Sequence, residues 1–276
     1  MKKIGFIDYY ISEWHADNYP AWIKAASERL GLDYEVRYAY ASKDVSPVSG
    51  LTTDEWCEKF GIEKCESIDE ITAKSDYLII LAPSNPEEHL ALAKETLKAG
   101  KLTYIDKTFA PDLATAKEIF SLSEANGANI FSSSALRYAT ELSSFSSPTS
   151  LDITGGGGNL PEYIIHQIEI AVTLIGRGAV SVRMEKAEDE DVATVSYNDG
   201  RSVTLRYFPK HPFSVLCDGG ERVKLSSDFF GGLIENILRF FESEYIPVAK
   251  EDTLEVMAIR EAVIKAYENP GQTVKI

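Results

Sequence analysis

"DYLIILAPSNPEEHLALAKETLKAGKLTYID", residues 76–106, holds a strand, a helix and a second strand in order, and this order decides the fold. The stretch 76–83 is almost continuously apolar, which suits a strand buried on both faces, and Pro83 and Pro86 close it. Residues 86–100 open on proline, place acids in the first turn and Lys98 near the end, and stop at Gly100, the pattern of a capped helix. "LTYID" (102–106) then starts the next strand. Strand, helix and strand in such short succession make the βαβ unit of a doubly wound parallel sheet.

The same alternation extends in both directions. Residues 3–7 predict a first strand, 21–30 a helix with Trp22, Ile23, Ala26 and Leu30 at helical spacing and Gly31 as its stop, and 34–41 a second strand. A loop rich in Ser, Pro and Gly (42–50) leads to a helix at 53–60, and a helix at 111–126 with a strand at 129–134 repeats the unit. Beyond about 135 the pattern changes. "GGGGN" (155–159) reads as the most flexible point of the chain and feeds a helix at 161–175. Alternating runs broken by the hairpin turn "NDG" (198–200) predict an antiparallel sheet, and helices at 233–245 and 252–268 close the chain. The expected class is α/β: a doubly wound parallel-sheet domain over 1–134, then an α+β domain over 135–276 with a largely antiparallel open sheet.

Composition narrows the partners. Twenty-eight Lys and Arg against 43 Asp and Glu give a net charge of -15, which disfavours nucleic acid and anionic membranes. Cys57, Cys65 and Cys217 are odd in number and fit no zinc spacing, so reduced thiols without disulfide or structural metal are expected. The apolar run after Lys2 and Lys3 stops at Asp8, too short for a signal-peptide core, and no stretch approaches the roughly 18 apolar residues of a membrane span. A cytoplasmic protein with a small-molecule ligand follows as the expectation.

In an open parallel sheet, ligands bind beyond the carboxyl ends of the strands, which selects the loops after Ile7, Leu81, Ile105 and Ile130. Asn85 and His89 lie in one of these loops, Asp106 and Lys107 in another. Each has a plain structural alternative, Asn85 as a helix cap and Lys107 as a solvated charge. On the helix 161–175, Glu162, His166, Glu169 and Thr173 form one polar stripe among Ile164, Ile165, Ile168, Val172 and Leu174. A carboxylate one turn before a histidine can orient the imidazole as a proton acceptor. Equally, Glu162 favours a positive helix end, His166 is a satisfied buried histidine, and Glu169 faces water.

Four stretches, 76–110, 116–138, 162–176 and 246–276, resemble in order the glucose-fructose oxidoreductase, inositol dehydrogenase and MocA (Gfo/Idh/MocA) family. The resemblance implies a Rossmann domain, a C-terminal α/β domain whose open sheet often forms a homodimer interface, and oxidation of sugars or cyclitols with NAD or NADP. The family's Glu-Lys-Pro motif falls on Asp106, Lys107 and Thr108, so only the lysine is kept. Its Asp-x-x-x-His motif falls on Glu162 and His166. By that resemblance Lys107 positions nicotinamide and substrate hydroxyl, His166 takes the hydroxyl proton, Glu162 holds the ring, and both cationic and imidazole groups serve one cavity. The cofactor-facing positions implied are Ile7, Asp8, Pro83, Asn85, Asp106 and Lys107.

"IGFIDYYISEWH" (4–15) departs from the family pattern, because the glycine-rich turn expected after Ile7 is replaced by Asp8, Tyr9, Tyr10 and Ile11. Tyrosines obstruct a close backbone approach, a carboxylate repels a pyrophosphate, and Pro20 is expected to displace the start of the first helix. The end of the second strand reads Ala39, Tyr40, Ala41, Ser42, with no acid for a ribose. Three functions are consistent with these residues: an NAD(P)-dependent oxidoreductase; a ligand-binding or sensing protein whose nucleotide cleft is filled by Tyr9, Tyr10 and Trp14; and an acid-base enzyme that needs no nicotinamide.

Overall fold

Apolar runs in the first half of the chain assemble into one parallel sheet. The computed structural model describes residues 1–243 and 245–276 and divides into two units, Met1–Ser133 with Leu233–Ala249 and Ser134–Gly232 with Lys250–Ile276. In the first unit the order is β1 (Lys2–Asp8), α1 (Trp14–Leu30), β2 (Tyr34–Ala41), α2 (Thr53–Phe60), β3 (Glu63–Lys64), α3 (Ile68–Lys74), β4 (Tyr77–Ile80), α4 (His89–Thr96), β5 (Thr103–Ile105), α5 (Leu113–Asn126) and β6 (Ile130–Phe131). Six strands pair in parallel in the order β3-β2-β1-β4-β5-β6, the doubly wound arrangement whose order reverses at β1 and β4. Ile4, Phe6, Ile7, Leu78, Ile79 and Ile80 are fully buried, as strands covered on both faces require.

Two elements of this unit differ from expectation. α1 begins at Trp14 and runs through Pro20, seven residues earlier than the predicted 21–30, because Glu13 caps it and tertiary packing tolerates the missing N–H of an internal proline. β3 and α3 were not predicted. Their signal is Ser67 followed three residues later by Glu70, a helix-start pattern, and Ser67 Oγ does accept from Glu70 N at 3.1 Å.

The second unit contains β7 (Ser150–Gly155), α6 (Leu160–Ile175), β8 (Ala179–Lys186), β9 (Asp191–Tyr197), β10 (Ser202–Tyr207), β11 (Ser214–Cys217) and β12 (Arg222–Lys224). α7 (Phe229–Ser243) follows, and α8 (Lys250–Glu268) and β13 (Thr273–Lys275) complete the second unit. Its sheet runs β12-β11-β7-β10-β9-β8-β13, antiparallel at every pair except β7 with β10. The boundary at 134 needs one correction: residues 233–249 group with the first unit. Phe240 meets Phe131 edge-on at 5.0 Å and Phe241 stacks on Tyr77 at 4.6 Å, contacts between residues too distant in sequence for local patterning to reveal. Position 244, inside the helix predicted over 233–245, lies outside the described residues. Among the described residues no helix is long and apolar enough to cross a membrane.

Candidate active site

The exits of β1, β4 and β5 lie side by side because those strands are neighbours in the sheet. Asp8 ends β1, and its Oδ1 accepts from Tyr9 N at 2.7 Å and Ala82 N at 3.0 Å. Ala82 is held at φ 62°, a left-handed conformation that costs a non-glycine residue roughly 1–2 kcal/mol. Beyond β5, Asp106 is fully buried and its Oδ2 meets His15 Nδ1, while Oδ1 accepts from Tyr104 OH at 3.1 Å and Lys107 N at 2.8 Å. His15 stacks on Tyr19 with ring centroids 5.2 Å apart. Lys107 is half-buried and its Nζ donates to the Pro83 carbonyl at 3.3 Å. Glu13 supplies the last carboxylate, accepting from His15 N at 2.8 Å and Ala16 N at 2.5 Å at the start of α1.

Three buried acids in one cluster cannot all be comfortable as anions. Burial pushes Asp8 well above the usual carboxylate range, and the charge of Glu13 adds to the effect. Burial also raises Glu13, with His15 and two backbone N–H groups working against it. For Asp106 burial acts upward too, yet His15, Lys107 and the backbone together hold it below its ordinary value. Of the three acids, Asp106 is the one whose surroundings most favour the anion. A carboxyl with a raised folded pKa stabilises the fold fully only below its ordinary value of 3.8, and that contribution is lost as pH rises toward the folded pKa. Asp8→Asn keeps both N–H partners at Oδ1 and removes the titration. At neutral pH it is expected to raise the unfolding midpoint by about 2–4 °C, the effect of ~1 kcal/mol, and to flatten the decline of stability above about pH 4. Identical pH-stability profiles for the two proteins would refute this.

In the second unit, α6 carries the polar stripe. His166 is half-buried, and its Nδ1 lies 2.7 Å from Ser134 Oγ, a partner the sequence did not announce. Tyr163 and Phe213 flank the imidazole at 5.9 and 5.6 Å between ring centroids. The glycine run before α6 creates room for that frame and is not simply a flexible point. A Cβ on Gly155 would fall in the Phe213 ring, one on Gly156 on the Phe208 carbonyl oxygen, and one on Gly157 in the Tyr163 ring. Glu162 sits in the first turn, where Asn159 caps the helix by accepting from Glu162 N at 3.0 Å and donates to the Glu162 carboxylate at 3.1 Å. Glu169 does not face water. It is 4% exposed and pairs with Arg137, whose Nε and Nη2 both lie 2.8 Å from Oε2.

Of the positions expected at strand exits, Asp8, Pro83, Asp106 and Lys107 are brought together, and Ile7 is sealed within β1. Asn85 neither caps its helix nor joins the cluster; its Nδ2 donates to Glu87 at 3.0 Å. His89 is fully buried as a tie between the Leu81 and Phe109 carbonyls, with burial drawing its pKa down. Trp14 is 53% exposed, so the start of α1 is filled by Glu13 instead. Glu13, His15, Tyr19 and Tyr104 were not predicted; the first two lie in the stretch whose missing glycines already marked it as unusual.

Residues 41–133 match the GFO_IDH_MocA family profile, described as "Oxidoreductase family, NAD-binding Rossmann fold". Over those residues the chain is similar to the Gfo/Idh/MocA oxidoreductases. A curated relative, the uncharacterized oxidoreductase YhhX of Escherichia coli (strain K12), is 33% identical over 63 residues. That match spans 23% of this chain and only 18% of YhhX. Among solved structures, myo-inositol dehydrogenase from Lactobacillus casei, in complex with NAD(H) and myo-inositol, superposes with a TM-score of 0.80. It is 12% identical and the match covers 100% of this chain and 96% of that one. UDP-N-acetylglucosamine 3-dehydrogenase GnnA from Acidithiobacillus ferrooxidans gives 0.75 at 15% identity, covering 98% and 99%. At such identities the likeness establishes a shared fold.

A dinucleotide in the Gfo/Idh/MocA fold needs open N–H groups at the first helix and a backbone bare enough to touch the diphosphate. Here the N–H groups of His15 and Ala16 are taken by Glu13, and Asp8 adds a second acid at the end of β1. As folded, these residues do not fit a diphosphate.

Proposed function

We propose that this chain is an NAD(P)-dependent oxidoreductase acting on a sugar- or cyclitol-like polyhydroxylated small molecule. The observation that supports this best is His166, half-buried on a helix packed on its other faces, with Nδ1 fixed by Ser134. Oxidising a secondary alcohol removes a proton from oxygen, and an imidazole with one nitrogen held is suited to receive it. Lys107, a compact cation in contact with the Pro83 carbonyl, would donate to a substrate hydroxyl. Glu162, one helical turn before His166, would favour the imidazolium that forms. Relatives that act on inositol and on a sugar nucleotide motivate the substrate class, and kinship suggests NAD or NADP as the oxidant and a cytoplasmic homodimer as the working state. Sedimentation velocity at micromolar concentration tests the dimer.

Glu13 and Asp8 favour a second reading, a ligand-binding or sensing protein of this fold that does not use nicotinamide. Thermal unfolding with increasing NADH or NADPH separates the two. A midpoint that climbs with concentration supports the oxidoreductase. No shift at millimolar cofactor supports the binding protein.

A further inference from the structure

In a dinucleotide-binding unit the helix after the first strand receives the diphosphate, because its first N–H groups are unpaired and its dipole is positive there. The start of α1 already holds an anion of the chain's own. Glu13 is 9% exposed, and its two carboxylate oxygens take the N–H groups of His15 and Ala16 separately. A second observation points to the same place. Asp8 is 1% exposed, its Oδ2 has no hydrogen-bond partner, and the charge of Glu13 acts on it directly. Asp106 meets His15, which stacks on Tyr19, so the same cluster continues beside the start of α1.

We propose that Glu13 is an internal competitor of the cofactor diphosphate, so that the Glu13 cap and a bound nicotinamide dinucleotide exclude each other. The proposal rests on the nicotinamide reading given above and adds its regulation. Carboxylate and diphosphate oxygens only accept hydrogen bonds, so the N–H groups of His15 and Ala16 serve one or the other. Two anions at one helix start also repel strongly where water is excluded. Cofactor therefore enters only when the Glu13 side chain leaves the His15 and Ala16 N–H groups.

Titration of NADH fluorescence on the full chain tests this, comparing wild type with Glu13→Ser and Glu13→Gln. Serine is a good helix cap without charge or length, so it keeps α1 started while vacating the anion position; unfolding without ligand confirms that each variant is folded. Glu13→Ser is expected to bind NADH at least about ten-fold more tightly than wild type, with Glu13→Gln between them. A folded Glu13→Ser that binds no tighter than a wild type of measurable affinity overturns the role of Glu13 alone. Absence of binding by wild type and both variants at millimolar NADH overturns it together with the nicotinamide reading.

Discussion

Alanine in place of His166 is expected to lower turnover of a polyhydroxylated substrate by about 10²–10⁴-fold, the usual worth of a positioned acid-base group. Lys107→Ala should fall in the same range. The two residues belong to different units, so the informative protein is the double variant. If both groups act on one transition state, losing the second adds little once the first is gone, and the double variant is about as slow as the worse single one. If they act independently, their effects multiply. Oxidation rates across a panel of sugars and cyclitols, with folding checked by circular dichroism, provide the measurement. Retained turnover in both single variants would remove the catalytic assignment, and multiplied losses would show that the two groups contribute independently rather than as a unit.

The second large effect concerns stability. Arg137 and Glu169 form an ion pair with side chains only 10% and 6% exposed, and α6 is pinned through it to the segment Ala135–Tyr138. Removing one partner leaves the other charged without compensation in a place water does not reach. Arg137→Ala is expected to cost about 3–5 kcal/mol, a fall in unfolding midpoint on the order of 10 °C. The paired replacement Arg137→Met with Glu169→Leu should recover most of that loss, because it removes both desolvated charges and restores apolar contact. Equal destabilisation by the single and the paired replacement would show that packing volume, not charge, is what the pair supplies. The Ser134 contact with His166 starts from the same short segment, so loss of turnover in Arg137→Ala should accompany loss of stability.

Much of the fold was legible because strand burial and helix termination are local properties. The run 76–83, the stop at Gly100 and the "NDG" turn each state their structure within a few residues, and the two sheets follow from their alternation. α3 was legible in its Ser67 and Glu70 pair and was still missed. The start of α1 differs from expectation because proline usually starts a helix, whereas here a glutamate seven residues before it makes the start. The glycine run before α6 looked flexible since sequence shows only the absence of side chains, not which rings occupy the space.

At the site, chemistry and arrangement separate in the same way. Lys107 and His166 stand out in the sequence, since a lone lysine after a parallel strand and a histidine in an apolar helix are conspicuous by type. Their partners are invisible there. Ser134 at His166, Arg137 at Glu169, and the ring of Asp8, Glu13, His15 and Asp106 are set by contacts between residues as far as 91 positions apart. Sequence alone determined the parallel and antiparallel sheets, the absence of a glycine turn after β1 and the identity of the polar stripe, because each depends on neighbours along the chain. Only the tertiary structure decided that a glutamate fills the helix start, because a hydrogen bond is satisfied by whichever acceptor the fold brings within about 3 Å.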